Sequence, residues 1–324
     1  MKAIRVHAYG GPEAMVYEEV EVGTPGPGQA LVRHSAIGVN FIDVYHRTGL
    51  YPSPTGLPFV LGTEGAGVVE AVGEGVTEVK PGDRVAYAGP IGAYSQARLV
   101  TANRLVVLPD AIDERTAAAI MLKGMTTQYL LRQTFKVGPE HTILFHAAAG
   151  GVGTLAGQWA KHLGATVIGT AGGAEKCALA KENGYDHVVD YKSENFVERV
   201  KEITGGRGCD VVYDSIGKDT FPASLDCLKP RGLFVSFGNA SGPVEGVNLA
   251  ILSQKGSLFA TRPTLYGYVA ERADLLATAA DLFDVVASGV VKVAINQTFP
   301  LADAAGAHRA LESRATTGST LLLP

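Results

Sequence analysis

A short glycine-rich segment is the part of this sequence whose residue types and spacing most directly suggest chemistry. It reads Ala147-Ala148-Ala149-Gly150-Gly151-Val152-Gly153 and joins an apolar segment to an amphipathic one. Glycines at a strand-to-helix turn let the backbone approach a pyrophosphate, whose charge is favoured at the helix N-terminus. Such turns also occur for packing reasons alone, but the strand–turn–helix context favours a dinucleotide site. The contacts predicted from this turn are Ala149, Gly150, Gly151, Val152 and Gly153.

The tip of the second predicted strand indicates which dinucleotide would bind. A site for NAD usually carries Asp or Glu about 20 residues after the glycines, where it binds the ribose hydroxyls. Here the tip reads Thr170-Ala171-Gly172-Gly173, without an acid, and Lys176 follows on the next helix. A carboxylate would repel a 2′-phosphate, whereas a lysine attracts it. A solvated surface lysine is the alternative interpretation of Lys176 alone, but the whole pattern predicts NADPH.

Metal chemistry finds little support in the residue types. The three cysteines, Cys177, Cys209 and Cys227, have spacings that fit neither a disulfide framework nor a metal knuckle, so we expect reduced, packed thiols. The eight histidines are scattered, and His146, beside the glycine-rich turn, is expected to be structural. Zinc requires several N or S ligands that converge in space. We predict no metal site.

Composition bounds the class of protein. With 324 residues, 46% of them hydrophobic and 19% charged, the chain is long enough for two globular domains. Its net charge of -4 gives no general attraction to nucleic acid or to anionic membranes. No apolar segment has the length of a membrane span, and no signal-peptide core is visible near the start. We expect a cytoplasmic protein.

Two kinds of secondary structure must position these residues. Up to about residue 110, short alternating segments between Pro-Gly turns predict a small antiparallel β-barrel. Beyond Pro109 the pattern predicts a helix over 111–135 and then alternating strands and helices, which indicates a parallel sheet covered on both faces. The expected strands of that sheet are Thr142–Ala147, Thr166–Ala171, His187–Tyr191, Asp210–Ile216, Leu233–Gly238 and Ser257–Thr261.

The C-terminal part returns to the first domain. Helices are predicted over Glu271–Ser288 and Ala302–Arg314, and a last strand over Ser319–Leu323 has no neighbouring crossover of its own. The fold class is therefore α/β, a doubly wound parallel sheet plus a β-barrel domain. The predicted barrel domain is discontinuous and comprises residues 1–122 and 266–324, and the dinucleotide-binding domain comprises residues 123–265.

Several segments together resemble the quinone oxidoreductases, zinc-free members of the medium-chain dehydrogenase/reductase superfamily related to ζ-crystallin. The resemblance covers essentially the whole chain. It is carried by the following motifs: Asn40–Asp43, Leu61–Gly67, Ala147–Gly153, Lys176, Asp190–Tyr191, Val212–Gly217, Phe237–Asn239 and Leu311–Arg314.

The resemblance implies a GroES-like catalytic barrel, a Rossmann domain inserted between its two segments, a cleft between the domains and a homodimer. It implies that Lys176, Tyr191 and Arg314 bind the 2′-phosphate of NADPH. Zinc-dependent relatives carry Cys near Gly38–Asn40 and a Gly-His-Glu motif where this chain has Gly62-Thr63-Glu64. The further cofactor contacts that the resemblance implies are Thr126, Ser215, Phe237, Gly238 and Asn239.

Without a metal, the reduced nicotinamide must carry the chemistry, and the protein must align the acceptor, exclude water and stabilise a developing oxyanion. By the resemblance, Asn40, Tyr45 and Tyr51 face the nicotinamide, and Tyr51 or Asn40 donates to the acceptor oxygen. A turn-forming Asn and amphipathic tyrosines at the barrel rim are the alternatives. Asp43 is expected to orient its neighbours.

The sequence thus predicts an NADPH-dependent quinone reductase that acts on a quinone or conjugated carbonyl. One alternative is an enone or enoyl-thioester reductase, which would use the same fold with a longer, more basic channel. A second is a non-enzymatic NADPH-binding protein with an RNA-binding role. The sequence contains no basic stripe or aromatic platform for RNA.

Overall fold

A computed structural model describes all residues, Met1–Pro324. The chain forms two compact units. Unit 1 consists of Met1–Met125, Val269–Ala287 and Val293–Pro324, and unit 2 of Thr126–Tyr268 and Ser288–Lys292. The segment Ser288–Lys292 belongs to unit 2 because Gln158 hydrogen-bonds the backbone of Lys292 in both directions, at 2.8 and 3.1 Å.

The regular elements have the following bounds. The strands are β1 Lys2–Val6, β2 Met15–Glu19, β3 Gln29–Val39, β4 Phe59–Val60, β5 Glu64–Val72, β6 Arg84–Ala88, β7 Ala97–Thr101, β8 Val106–Val107, β9 Thr142–Phe145, β10 Thr166–Ala171, β11 His187–Asp190, β12 Cys209–Asp214, β13 Leu228–Ser236, β14 Phe259–Thr261, β15 Ile295–Pro300 and β16 Ser319–Leu323. The α-helices are α1 Phe41–Thr48, α2 Glu114–Tyr129, α3 Gly151–His162, α4 Ala174–Glu182, α5 Phe196–Ile203, α6 Ala250–Gln254, α7 Leu265–Tyr268, α8 Arg272–Ala287 and α9 Ala304–Glu312.

Unit 2 is built on one parallel sheet of six strands in the order β11-β10-β9-β12-β13-β14. This is the order of a dinucleotide-binding sheet, with its switch point between β9 and β12. The six predicted strands are all present, and the doubly wound α/β fold is confirmed. The apolar faces of α3 and α5 pack on the sheet, with Trp159 and Val200 buried as the helical spacing predicts.

Unit 1 is a GroES-like barrel, as the sequence analysis expects. Its main sheet runs β15-β16-β3-β5-β6-β8, with β7 paired to β3, and a smaller sheet runs β2-β1-β4. The last strand does return to the N-terminal segment, because β16 pairs antiparallel with β3 through Leu321 and Gly38. A single core of strand residues with Leu301, Ala304 and Ala307 from the C-terminal region fills the barrel.

Two regular elements of unit 1, α1 and β15, were not predicted from the sequence. The segment after β3 is the helix α1, which is followed by Gly49 in the left-handed conformation (φ 82°). Strand β15 was not predicted from the sequence, and it pairs parallel with β16. None of the residues of β15 is buried, so its sequence lacks the apolar alternation typical of a half-buried strand. Among the helices, none combines the length and apolar character needed to cross a bilayer.

Candidate functional site

The glycine turn, Ala147–Gly153, connects β9 to α3 at the carboxyl edge of the unit 2 sheet. Ala147 adopts a left-handed backbone (φ 56°), and its carbonyl accepts the N–H of Gly150 at 2.9 Å. A Cβ on Gly153 would lie 2.3 Å from that same carbonyl oxygen. Glycine at position 153 is therefore required for α3 to begin so close to β9.

The N-terminus of α3 is suited to an anion. Gly150 occupies its N-cap position and provides no side-chain oxygen for the first N–H groups of the helix. Gly151 and Val152 are partly exposed, so that these N–H groups are within reach of a ligand. Unpaired N–H groups and the helix dipole together bind phosphate groups at such sites. The turn and the helix N-terminus together form a cradle of the kind that fits the pyrophosphate of a dinucleotide.

A second group of predicted residues lies at the tip of β10. A Cβ on Gly172 would lie 2.5 Å from the hydroxyl oxygen of Tyr191, so the tyrosine packs directly on the glycine backbone. Lys176 is in the first turn of α4 and is partly exposed. Lys192, which the sequence reasoning missed, lies close to the same two glycines, with its Nζ 3.9 Å from the Cβ position of Gly173. Its place directly after Tyr191 is the only sequence signal for it.

Asp190, a carboxylate beside this tip, already accepts hydrogen bonds from the backbone. Asp190 accepts the N–H of Gly173 at 2.9 Å and that of Lys192 at 3.0 Å through the same oxygen. These two hydrogen bonds lower the pKa of Asp190, so it stays ionised. The carboxylate therefore shapes the loop that presents Tyr191 and Lys192.

The loops after β12 and β13 bring further predicted residues to the same edge of unit 2. A Cβ on Gly238 would lie 2.5 Å from the carbonyl oxygen of Ser215, so the two loops touch. The Phe237 N–H donates to the Asp214 carbonyl at 2.8 Å, and the Phe237 ring lies 5.6 Å from that of Phe145. The structure thus places Ser215, Phe237 and Gly238 together, and their contact with the cofactor stays a prediction.

His146 is structural, as expected. It is buried, its Nδ1 lies 2.9 Å from the Thr170 hydroxyl, and its Nε2 lies 3.0 Å from the Ser224 hydroxyl. The Ser224 hydroxyl in turn donates to Asp214 at 2.9 Å. Burial lowers the pKa of His146. This buried polar chain fixes the strands beneath the loops rather than presenting a base to a ligand.

In unit 1, the predicted site residue Asn40 is held from two directions where β3 passes into α1. Its backbone N–H donates to Asp43 Oδ2 at 2.8 Å, which closes the first turn of the helix. Its side-chain Nδ2 donates to Glu64 Oε2 at 2.8 Å. Asn40 therefore caps a helix and also has a fixed side chain, so the turn-forming interpretation and the site interpretation are compatible.

Asp43 is buried and accepts hydrogen bonds from three neighbouring residues. Besides Asn40, it accepts the Thr63 hydroxyl at 2.8 Å and the Tyr94 hydroxyl at 3.1 Å. Burial raises the pKa of Asp43 to about 7, and these hydrogen bonds and the charge of Lys123 oppose the rise. By the family resemblance, Thr63 stands where zinc-dependent relatives carry a ligand histidine. In this chain its hydroxyl donates to Asp43 and orients it.

A donor chain continues from Asp43 to the C-terminal helix α9. Because arginine has only N–H donors, the 2.9 Å contact of Arg47 Nη1 makes Nδ1 of His308 an acceptor. His308 Nε2 then carries the ring hydrogen and donates to Tyr94 at 3.0 Å, and Tyr94 donates to Asp43. Arg47 also pairs with both oxygens of Glu312 at 2.8 Å. Burial and the charge of Arg47 lower the pKa of His308 to about 3, which keeps it neutral.

The two predicted tyrosines pack on each other at the end of α1. The rings of Tyr45 and Tyr51 meet edge to face with centroids 5.2 Å apart. The Tyr51 backbone is fixed by its N–H donating to Tyr45 at 3.0 Å and by its carbonyl accepting His46 Nδ1 at 2.9 Å. Tyr45 is buried, whereas Tyr51 is partly exposed. Only Tyr51 of the pair has an accessible surface from which its hydroxyl could reach a ligand.

Zinc does not fit the residues present around Glu64. A Cβ on Gly38 would lie 2.2 Å from Glu64 Oε2, so a cysteine cannot be placed there without moving the glutamate. Nowhere in the chain do three or more His, Cys, Asp or Glu side chains gather as a metal-binding group. Glu64 instead accepts hydrogen bonds from Asn40, from the Leu122 N–H at 2.7 Å and from Lys123 at 3.3 Å.

Known proteins share both the sequence and the fold. The alcohol dehydrogenase GroES-like domain family matches residues 26–110, and a family described as zinc-binding dehydrogenase matches residues 151–285. A quinone oxidoreductase of Pseudomonas aeruginosa is 58% identical over 100% of this chain and 99% of its own length. A 2-haloacrylate reductase of a Burkholderia species is 50% identical over 98% of each chain.

The solved structure of Escherichia coli quinone oxidoreductase complexed with NADPH superimposes with a TM-score of 0.98 at 52% identity and covers 100% of both chains. Similarity at this level extends over the full length of the chain. The chain belongs to the quinone oxidoreductase family of the medium-chain dehydrogenase/reductase superfamily.

Proposed function

We propose that this protein is an NADPH-dependent quinone oxidoreductase. The observation that carries the proposal is the glycine turn and open N-terminus of α3, which fit a pyrophosphate, in a chain 52% identical to an enzyme solved with NADPH. When bound, NADPH supplies a hydride. Residues of unit 1 contribute the acceptor site, and residues of unit 2 contribute the cofactor contacts except Arg314, which belongs to unit 1. The proposed domain bounds are residues 1–122 and 266–324 for the catalytic domain and residues 123–265 for the NADPH-binding domain.

The cofactor contacts divide by chemistry. The N–H groups of the glycine turn bind the pyrophosphate, and Lys176, Tyr191 and Arg314 bind the 2′-phosphate. Lys192, beside Tyr191 at the same two glycines, adds a further cation. The position of Ser215, Phe237 and Gly238 at the carboxyl edge supports their role as contacts. Two further contacts rest on the family resemblance, namely Thr126 and Asn239.

Acceptor binding is assigned to residues at the two ends of α1. Asn40 is held rigidly by Asp43 and Glu64, which is the preorganisation that an oxyanion donor needs. Tyr51 presents a partly exposed ring whose backbone is fixed by Tyr45 and His46, and its hydroxyl is the second donor. Tyr45 packs against Tyr51 and sets its orientation.

A second candidate function is the reduction of a conjugated carbon–carbon double bond. It is favoured by the 50% identity to a 2-haloacrylate reductase over nearly the full length. The same hydride and oxyanion donors would serve it, because a carboxylate-conjugated alkene also develops negative charge on oxygen. The two functions therefore differ in the acceptor and share the hydride source and the oxyanion donors.

Homodimer formation is also proposed. Strand β14 is an edge of the unit 2 sheet, and Phe259 on it is 62% exposed. Leu249, just before α6, is 74% exposed. An unpaired edge strand with large exposed apolar side chains is suited to pairing with a second copy.

A cytoplasmic location is proposed as well. Three free cysteines, two of them buried, support a reducing environment.

A steady-state comparison of cofactors and acceptors tests the function. NADPH should exceed NADH by roughly 10² to 10⁴ in kcat/KM, because two charge-assisted contacts reach only the 2′-phosphate. The kcat/KM for 1,4-benzoquinone should be higher than that for 2-chloroacrylate. The reverse order would favour the second candidate function. Equal use of NADH and NADPH would contradict the proposed phosphate contacts.

Three single substitutions sharpen this comparison. Lys176→Ala and Arg314→Ala should each raise KM for NADPH while leaving the kinetics with NADH nearly unchanged. Lys181→Ala, an exposed lysine in the last turn of the same helix α4, is the matched control and should change neither. If Lys176→Ala and Arg314→Ala weaken the two cofactors equally, the assignment to the 2′-phosphate is wrong.

A further inference from the structure

The proposed function leaves one buried charged pair without a role. Glu64 is fully buried, and the Lys123 side chain is only 7% exposed. Lys123 Nζ lies 3.3 Å from Glu64 Oε2, and the same oxygen accepts the Asn40 amide at 2.8 Å. An ammonium and an amide donor therefore meet at a single carboxylate oxygen.

Stability alone does not account for this pair. Removing two charges from water costs several kcal/mol for each ion, and the attraction between the partners often fails to offset that cost. Replacement of buried pairs by apolar residues is often neutral or stabilising. A buried lysine held in place therefore suggests a use for its charge, and the residues around it indicate which use.

The surroundings of Lys123 are those of the proposed reaction. It shares an acceptor with Asn40, the proposed acceptor-binding residue, and helix α2 carries Thr126, a proposed cofactor contact, one turn beyond it. Glu64 follows Thr63 and lies against Gly38. By the family resemblance, zinc-dependent relatives carry metal ligands near Gly38–Asn40 and in the segment that corresponds to Gly62–Glu64. Lys123 thus brings a positive charge to the region in which those relatives bind a cation.

We propose that the Lys123 ammonium is a second oxyanion donor, which binds the acceptor oxygen next to Asn40, and that Glu64 is the positioning residue for both donors. The inference rests on the proposed function. The acceptor gains a hydride, its oxygen becomes negative, and the ammonium stabilises that charge through a hydrogen bond. Lys123 keeps its three protons, and the proton that completes the product comes from water.

Binding of 4-nitrophenol to the protein loaded with NADP⁺ tests the proposal without turnover. The phenolate imitates the acceptor oxyanion and is visible by its absorbance. Wild type should bind phenolate more tightly than phenol by about 10- to 100-fold, as expected for a charge-assisted hydrogen bond. Lys123→Met should reduce this preference to the part that the neutral donor Asn40 supplies, and Lys123→Arg should retain more of it because the charge remains.

Lys229→Met is the matched control, because Lys229 pairs with the buried Asp210 elsewhere in the chain. It should keep the full phenolate preference. NADPH binding, followed by fluorescence, checks that each variant is folded. If Lys123→Met does not fold, Lys123→Gln replaces it, since glutamine keeps a hydrogen-bond donor for Glu64 without the charge.

An equal phenolate preference in wild type and in the neutral Lys123 variant would overturn the proposal. A loss in Lys229→Met as large as that in Lys123→Met would also overturn it, because the effect would then be structural. Failure of the proposed function has a separate signature, namely wild-type protein that binds NADPH but does not oxidise it with any quinone or conjugated alkene.

Discussion

The glycine turn of unit 2 and the α1 site of unit 1, which consists of Asn40, Asp43 and the groups bonded to them, differ in how their parts are distributed along the chain. The turn is made by seven consecutive residues, and its critical contact joins Gly153 to Ala147. The α1 site joins Asp43 to Thr63, Tyr94 and, through the donor chain, to His308 and Glu312. A phosphate cradle can be made from local backbone, whereas a rigid oxyanion site needs side chains from several strands.

The strongest test of this comparison removes the link to the C-terminal helix. Arg47→Met takes away the only charged partner of the buried His308 and the paired contacts to Glu312. We expect the free energy of unfolding to fall by about 3–5 kcal/mol, because the buried Arg47 side chain loses four hydrogen bonds and the buried His308 loses its donor. Chemical denaturation measures it.

The control for Arg47→Met is Lys161→Met, which removes the exposed ion pair with Asp186. That variant should lose at most about 1 kcal/mol. Similar losses for the two substitutions would mean that α9 does not hold the α1 site through the donor chain.

The next effect concerns pH. Because burial raises the pKa of Asp43 to about 7 from 3.8, the folded protein binds this proton more tightly than the unfolded chain. Its contribution to stability is therefore fully present below pH 3.8 and is lost as the pH rises through about 7, by at most about 4 kcal/mol.

Asp43→Asn cannot ionise, so it should lack this contribution to the pH slope. The difference in unfolding free energy between wild type and Asp43→Asn should shift in favour of the variant from pH 5 to pH 8. Denaturation curves at several pH values measure it. A difference that is constant with pH would show that Asp43 does not titrate in this range.

A smaller effect is expected in the glycine turn. Gly153→Ala places a methyl group 2.3 Å from the Ala147 carbonyl, which forces the backbone to shift, and should weaken NADPH binding by about 10- to 100-fold. Fluorescence titration with NADPH measures this. Gly150→Ala, whose Cβ would be 3.2 Å from the same oxygen, is the control with a smaller loss. Equal losses would contradict the role of the close contact.

Metal removal should have no effect. By the family resemblance, zinc-dependent relatives carry ligands near Gly38–Asn40 and at the position of Thr63, where this chain has no Cys or His. The Glu64 carboxylate accepts hydrogen bonds from Asn40, Leu122 and Lys123. Exhaustive dialysis against a chelator should leave NADPH oxidation unchanged. Stoichiometric zinc in the active protein, with activity lost when it is removed, would show that metal-free chemistry is the wrong interpretation.

The parts that could be predicted from sequence are those with local causes. The strand–turn–helix pattern around the glycine turn predicts the cradle, because its geometry depends on neighbouring residues. The strand patterns predict all six strands of unit 2. Helix α1 and strand β15 could not be predicted in the same way, since α1 follows a strand without a break and β15 depends on pairing with β16.

The sequence by itself determined the fold class, the dinucleotide cradle and the absence of a carboxylate at the NAD position, because each depends on residue type over a few positions. Only the tertiary structure brought Lys123 and Asn40 to one oxygen of Glu64, and Arg47 and His308 to Asp43 through Tyr94. Side chains separated by as many as 265 positions, as in Arg47 and Glu312, become neighbours through barrel closure and the return of the C-terminal segment. Residue spacing along the chain carries no trace of such contacts, since they are set by which strands pair.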